Sequence, residues 1–170
     1  MATDGNWLGI TTPGCAGTIR GMPKSLASLM ILVACLSGLA RADVDLGLIE
    51  LPEGFRIEVY AKGVENARQM ALGEHGTLFV GSRRAGRVYA LTDADGDHFA
   101  ETVRVIDEGL ERPSGIEFRN GALYVGAIER ILRYDEIEKR LDAPPEPVVV
   151  TDALPDRKSH GWKYLRFGPD

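Results

Sequence analysis

Four carboxylates lie close together in one loop between two predicted strands. Asp93, Asp95, Asp97 and Glu101 occupy positions 1, 3, 5 and 9 of that loop. Hard divalent cations prefer oxygen ligands, and a turning backbone can direct carboxylates at this spacing onto one ion, so we predict a Ca²⁺ site. The loop is not an EF-hand, because Gly96 stands at position 4 and no Glu stands at position 12. The alternative is a solvated acidic turn, in which Asp and Gly provide only turn geometry.

One histidine is a candidate for acid–base chemistry. His160 lies in the segment Lys158–Trp162, just before the third copy of a repeated strand pattern described below. A neutral imidazole at that place could act as a general base, and the alternative is a loop histidine with no task. Gln69 stands in a similar place in the first copy, where its amide could meet a hydroxylated substrate. Arg83 and Arg84 lie on the same predicted face and could bind an anionic cofactor. The alternative is that they are ordinary surface arginines, most of which bind no ligand.

Several classes of chemistry lose support. Both cysteines, Cys15 and Cys35, precede Asp43, so the remainder of the chain has no thiol for a disulfide, a redox motif or a zinc site. The chain contains no Gly-x-Ser-x-Gly elbow, phosphate loop, dinucleotide fingerprint or His-Glu-x-x-His motif. Nucleotide-dependent and common hydrolytic functions are therefore disfavoured.

The first 42 residues have the pattern of an export signal. Arg20 and Lys24 precede an uncharged apolar run that ends at Ala40-Arg41-Ala42, a small-x-small cleavage site. We predict a signal peptide over 1–42 that is cleaved near Ala42, with translation starting at Met22. The run is shorter than the ~20 residues of a membrane-spanning helix, so a permanent anchor is the weaker alternative.

A lipid anchor is a second processing route. Leu32-Val33-Ala34-Cys35 resembles a bacterial lipobox, whose cysteine is acylated, and the alternative is that Cys35 is an apolar filler. Either route predicts a periplasmic or secreted protein of a bacterium.

A repeat of roughly 46 to 49 residues indicates the fold. Three stretches align, and they begin at Arg68, Ser114 and Lys163. In the first two, an alternating strand meets a turn at His75-Gly76 or Asn120-Gly121, and a second strand follows, as in a β-hairpin. A third and a fourth strand then complete each repeat.

Four short strands per repeat are typical of β-propeller blades. Residues 43–170 are therefore predicted to form an all-β domain with about two blades and the start of a third. The alternative is a β-sandwich of unrelated hairpins. We also predict one helical turn over Ile137–Leu141, and an outer strand over Gly54–Tyr60 whose partners lie later in the complete protein.

Charge excludes some partners. The chain has 20 basic and 25 acidic side chains, a net charge of −5. The predicted leader contains three of the basic residues and one of the acids, so its removal leaves 17 and 24, a net charge of −7. Such a surface repels nucleic acid, and no basic stripe with interleaved aromatics is present.

The predicted mature part resembles the glucose/sorbosone dehydrogenase family along nearly all of its length. The matching stretches are Leu51–Tyr60, Asn66–Ala71, Thr77–Arg84, Ser114–Phe118, Leu132–Asp135 and His160–Asp170. The resemblance implies a six-bladed propeller, a pyrroloquinoline quinone (PQQ) cofactor, bound Ca²⁺, and oxidation of an aldose or a sugar aldehyde such as sorbosone. An electron acceptor is then a second partner.

The resemblance also implies residue roles. His160, with Gly161 after it, matches the family's catalytic base, which takes the proton of a substrate hydroxyl while hydride passes to the quinone. Gln69 looks like the family's polar residue beside the substrate. The basic residues that hold the quinone are expected beyond Asp170, so the chain alone is expected to be inactive. The family's cofactor-bridging Ca²⁺ is bound elsewhere in the chain, so the resemblance does not assign it to the Asp93 loop. The alternative function is a non-catalytic propeller that binds carbohydrate or protein.

Overall fold

The computed structural model describes residues 45–169. They belong to two separate units, one ending at Leu48 and one beginning at Ile49. The described part of the first unit is a single 3-10 turn, Leu46–Leu48. The predicted signal peptide, its cleavage near Ala42, the start at Met22 and the lipobox at Cys35 all lie outside the described residues.

The second unit contains two four-stranded antiparallel sheets, each with its strands side by side in chain order. The strands of the first sheet are β1 (Ala67–Leu72), β2 (Leu78–Ser82), β3 (Val88–Thr92) and β4 (Thr102–Asp107). Those of the second sheet are β5 (Gly115–Arg119), β6 (Ala122–Gly126), β7 (Ile131–Tyr134) and β8 (Val148–Thr151). The described residues include no α-helix, so the all-β prediction is confirmed for them.

Turn chemistry explains the two hairpins that begin the sheets. Asn120 and Gly121 have φ of 53° and 76° between the paired residues Arg119 and Ala122. A two-residue hairpin loop of this kind needs positive φ at both positions, and Asn-Gly tolerates it best. In the longer β1–β2 loop, Gly76 has φ of 86°. The predicted turn positions are therefore confirmed.

The main core lies between the sheets. Phe79 is fully buried and stacks on Phe118, with ring centroids 5.7 Å apart, so the contact joins β2 to β5. The buried residues of this core are Phe79, Val88, Ala90, Ile106, Ile116, Leu123, Val125, Leu132, Tyr134 and Ile137. A second cluster covers the other face of the first sheet, where Val80, Tyr89 and Leu91 pack against the segment 60–64. This second face is covered only in part, because Met70, Leu72 and Val105 are 59%, 66% and 46% exposed.

Glycines in equivalent places allow close approach to the next repeat. A Cβ on Gly81 of β2 would lie 2.4 Å from the carbonyl oxygen of Pro113 and 2.7 Å from Cγ1 of Ile116. A Cβ on Gly126 of β6 would likewise lie 3.3 Å from Cγ of Leu165. The segment around Leu165 therefore lies against the second sheet much as β5 lies against the first.

Two predicted strands are not paired in the structure. Residues 163–169 form no strand, although the repeat predicts one there, and residues 54–60 form none either. A strand needs a neighbour that pairs with it through backbone hydrogen bonds, and none of the eight strands pairs with either segment. The backbone around 54–60 makes one turn bond, from Phe55 N–H to Pro52 C=O, and Tyr60 C=O accepts from Ala100 N–H. The alternating pattern of residues 54–60 does not by itself produce a paired strand within the described residues. Pairing of this segment with later strands of the complete protein stays a prediction.

The predicted helical turn is confirmed as a 3-10 turn over Ile137–Lys139. Its Glu138 carboxylate accepts hydrogen bonds from the backbone N–H groups of Glu74, at 2.9 Å, and His75, at 3.1 Å. These bonds tie the β1–β2 loop of the first sheet to the second sheet. A Cβ on Gly73 would lie 2.3 Å from the same carboxylate, so a larger residue there would displace the Glu138 side chain from this position.

Tyr134 should make stability depend on alkaline pH. Its hydroxyl donates a hydrogen bond to the Asp107 carboxylate, and burial followed by that bond raises the pKa of Tyr134 far above its ordinary value. The folded state therefore keeps the phenol protonated where the unfolded chain would ionise, and this stabilisation is complete below about pH 10 and lost progressively above it. We expect Tyr134→Phe to cost about 1 kcal/mol at neutral pH and to flatten the loss of stability above pH 10.

Urea unfolding between about pH 8 and pH 11 measures this effect. Tyr164→Phe is the matched control, because the Tyr164 side chain is exposed. An alkaline loss of stability that is the same in the wild type and in Tyr134→Phe would contradict the assignment.

Candidate functional site

Aromatic and basic side chains gather at the end of the sheets where β1 begins and β2 ends. Trp162 lies at the centre of this group. The guanidinium carbon of Arg83 is 4.8 Å from the indole centroid and that of Arg68 is 5.9 Å from it, both within cation–π range. The segment containing Trp162 is therefore held against the first sheet by residues of β1 and of the loop after β2.

His160 lies beside this group and is exposed. Its ring centroid is 5.4 Å from that of Trp162, with the planes tilted by 43°. Its φ is 55°, in the left-handed region that non-glycine residues seldom adopt. Among the described residues no carboxylate forms an ion pair with it, so the imidazole is positioned by Trp162 and by the backbone alone.

Gln69 adopts a role that the sequence did not predict. Its amide nitrogen donates to the carbonyl oxygens of Ile116, at 2.7 Å, and Leu165, at 2.9 Å. Both amide hydrogens are thereby used to join β1 to β5 and to the segment after Trp162. The amide oxygen is buried without a partner, and Gln69 lines the same cavity as Trp162. The part of the amide that is left without a partner is therefore the acceptor, not the donor.

Two adjoining cavities lie at this end. One, of about 380 Å³, is lined by Arg68, Gln69, Trp162 and Tyr164 among others. The second, of about 360 Å³, is lined by Asn66, Ala67, Arg68, Arg83 and Arg84. The prediction that Arg83 and Arg84 face the same end as His160 and Gln69 is consistent with this arrangement.

Sequence reasoning missed Trp162 and Arg68. The signal was present in the repeat, since Arg68, Ser114 and Lys163 begin the three aligned stretches and all three line the larger cavity. Equivalent positions in a repeat come to equivalent places in space. The first position of the aligned stretches carries a different side chain in each repeat. Such variation indicates that the position faces a binding site and not the core.

The acidic loop is separate from this group. One oxygen from each of Asp93, Asp95, Asp97 and Glu101 lies within 4.8 Å of the others. The same carboxylates also accept backbone N–H groups of the loop: Asp93 accepts from Gly96, at 2.7 Å, and Glu101 accepts from Ala94, at 3.0 Å. The geometry suits a hard cation and equally suits a self-contained acidic turn, which are the two alternatives that the sequence left open.

Comparisons with known proteins show little. No protein-family model matches the chain. An uncharacterized protein of Borreliella burgdorferi is 18% identical over 146 residues, which are 85% of this chain and 34% of that protein. The chain thus spans about a third of the length of the relative that it matches. Within the described residues, no helix is both long enough and apolar enough to cross a bilayer.

Proposed function

We propose that this chain is part of a β-propeller sugar dehydrogenase that depends on PQQ and oxidises an aldose or a sugar aldehyde. What supports the proposal is that His160, Gln69 and Trp162 come together at one end of two consecutive four-stranded sheets. In a propeller, the loops at the starts of the inner strands meet around the central channel, where ligands bind. Each four-stranded sheet is then one blade.

The chain's own residues would act on the substrate hydroxyls. His160, as a neutral imidazole, would accept the proton of the hydroxyl that is oxidised. The unpartnered oxygen of Gln69 would accept a hydrogen bond from a neighbouring hydroxyl, which offsets the cost of leaving that oxygen buried and unpaired. The Trp162 indole offers an apolar face for a sugar ring.

The described residues do not by themselves form a quinone site. His160 is exposed and the Tyr164 side chain is 74% exposed, so no enclosed pocket for a large planar cofactor surrounds them. The quinone would supply the hydride acceptor. Its binding residues are not assigned within 45–169.

An activity assay tests the proposal. The full-length gene product that contains this chain is supplied with PQQ and Ca²⁺, and dye reduction is followed with glucose, other aldoses and sorbosone. Turnover that needs added PQQ is expected. Absence of both turnover and PQQ binding in a folded protein would refute the proposal.

A non-catalytic propeller that binds carbohydrate is the second candidate. The observation in its favour is that His160 has no carboxylate to orient it among the described residues, whereas a general base is commonly held by a third group. Exposed aromatic groups beside an open groove suffice for sugar binding. Saturable binding of a sugar without turnover would favour this function.

The acidic loop yields a separate prediction, that Ca²⁺ stabilises the protein. Ligands that bind only the folded state raise its stability, by about 2.7 kcal/mol at a hundredfold excess over Kd. We therefore expect added CaCl₂ to raise the unfolding midpoint of the wild type and not that of Asp95→Asn. Asp152→Asn, at another exposed aspartate, is the matched control and should keep the response. An unchanged midpoint in the wild type would leave the loop as a solvated turn.

A further inference from the structure

Within residues 45–169, three arginines at the Trp162 end have no acidic partner. Arg68, Arg83 and Arg84 line one cavity, and no carboxylate of the described residues forms an ion pair with any of them. Other arginines of the same unit do have such partners: Arg87 contacts Glu65 and Glu108, and Arg133 contacts Asp135. Arg140 and Arg157 also form none of these ion pairs, but they do not line this cavity, so what is particular to this end is that three such arginines line one cavity.

The position of Arg83 makes the missing partner costly. Its Nε is buried and has no hydrogen-bond partner, although the guanidinium packs on the Trp162 indole. A buried donor of a charged group that lacks an acceptor loses its hydration without compensation. The cation–π contact offsets part of this cost but gives the N–H no acceptor. An acceptor from outside the described residues would satisfy it.

The three arginines lie in a chain whose net charge is negative. The net charge is −5, yet this end presents three guanidinium groups within one cavity. Like charges held close together repel each other, and a bound anion removes that repulsion. Guanidinium groups form paired hydrogen bonds to planar or tetrahedral oxyanions, which a lysine cannot do equally well.

We propose that Arg68, Arg83 and Arg84 bind the oxyanion group of a small molecule, a carboxylate or a phosphate, in the cavity beside Trp162. This inference goes beyond the proposed dehydrogenase, because binding of the anion requires neither turnover nor a cofactor. The cavity of about 360 Å³ has room for a ligand of the size of a monosaccharide acid or a monosaccharide phosphate.

Fluorescence of Trp162 tests the proposal directly. The sequence Met1–Asp170 has two tryptophans, so Trp7→Phe in this chain leaves Trp162 as its single reporter. Sodium glucuronate, glucose 6-phosphate and neutral glucose are titrated separately at constant ionic strength. We expect a saturable change with glucuronate, with glucose 6-phosphate or with both, and no change with glucose. A response to glucuronate alone identifies the carboxylate as the ligand group, and a response to the phosphate alone identifies the phosphate.

Charge-matched variants separate the site from general attraction. In the same background, Arg83→Gln and Arg68→Gln should each weaken the affinity about tenfold or more, as expected for loss of a charge-assisted hydrogen bond. Arg140→Gln removes the same charge at an exposed position on the far 3-10 turn and should leave the affinity unchanged. Arg68 is also exposed, so its variant remains informative if Arg83→Gln does not fold. The absence of a saturable response to both anions, an equal response to glucose, or an equal loss in Arg140→Gln would each overturn the proposal.

Discussion

His160→Ala in the full-length gene product is expected to lower turnover of an aldose roughly 100- to 10,000-fold, the usual contribution of a general base. The proposed reaction needs an acceptor for the hydroxyl proton, and His160 is the imidazole that lies beside Trp162 and the cavity of Gln69. Because the side chain is exposed and makes only a ring contact, its removal should leave the fold intact. The loss should therefore fall mainly on kcat, with the affinity for PQQ preserved.

His75→Ala is the matched control for this experiment. His75 is also exposed, but it lies in the β1–β2 loop, and its contact to Glu138 uses the backbone N–H and not the imidazole. Its replacement should leave turnover within about twofold of the wild type, as for a substitution that disturbs no buried contact. Equal rates in His160→Ala and the wild type would remove His160 from the mechanism.

Phe79→Ala should produce the largest loss of stability. Phe79 is completely buried between the two sheets and stacks on Phe118. Removing a fully buried phenyl ring costs about 3–5 kcal/mol, because the apolar transfer energy is lost and the surrounding residues refill the space only in part. A domain of this size has only about 5–15 kcal/mol of stability in total, so partial unfolding at 37 °C is expected.

Phe55→Ala makes the same chemical change at a side chain that is 71% exposed. We expect it to change stability by less than about 0.5 kcal/mol. Urea unfolding followed by far-UV circular dichroism measures both variants. Similar losses for Phe79→Ala and Phe55→Ala would mean that the contact between the sheets does not contribute to the stability of the unit.

The strands were predictable because their signals are local. Alternating apolar residues and the Asn120-Gly121 turn depend only on near neighbours in sequence, and they predicted four strands in each of the first two repeats, as the structure has them. The same locality explains why residues 54–60 and 163–169 form no strand within the described residues. Their patterns are those of strands, but pairing requires another strand beside them, and a period-two pattern does not contain that information.

Only part of the candidate site could be predicted, because contacts between residues distant in sequence leave no local pattern. His160 and Gln69 were singled out from their places ahead of repeated strands, and these places do lie at one end of the sheets. The contact between Arg83 and Trp162 joins residues far apart in the sequence, and no local pattern encodes it. The amide of Gln69 was predicted to meet a substrate, whereas its N–H groups donate to backbone carbonyls 47 and 96 residues away in the sequence.

Gln69 therefore suggests an order of folding events. Each sheet is made of strands that follow one another along the chain, so its hairpins close short loops at little entropic cost and can form early. The two bonds of Gln69 span much longer separations and require β1, β5 and the segment at Leu165 to be in place together. We expect the two hydrogen bonds of Gln69 to form late in folding, after the sheets have packed against each other. Loss of this side chain should then accelerate unfolding and leave the refolding rate nearly unchanged.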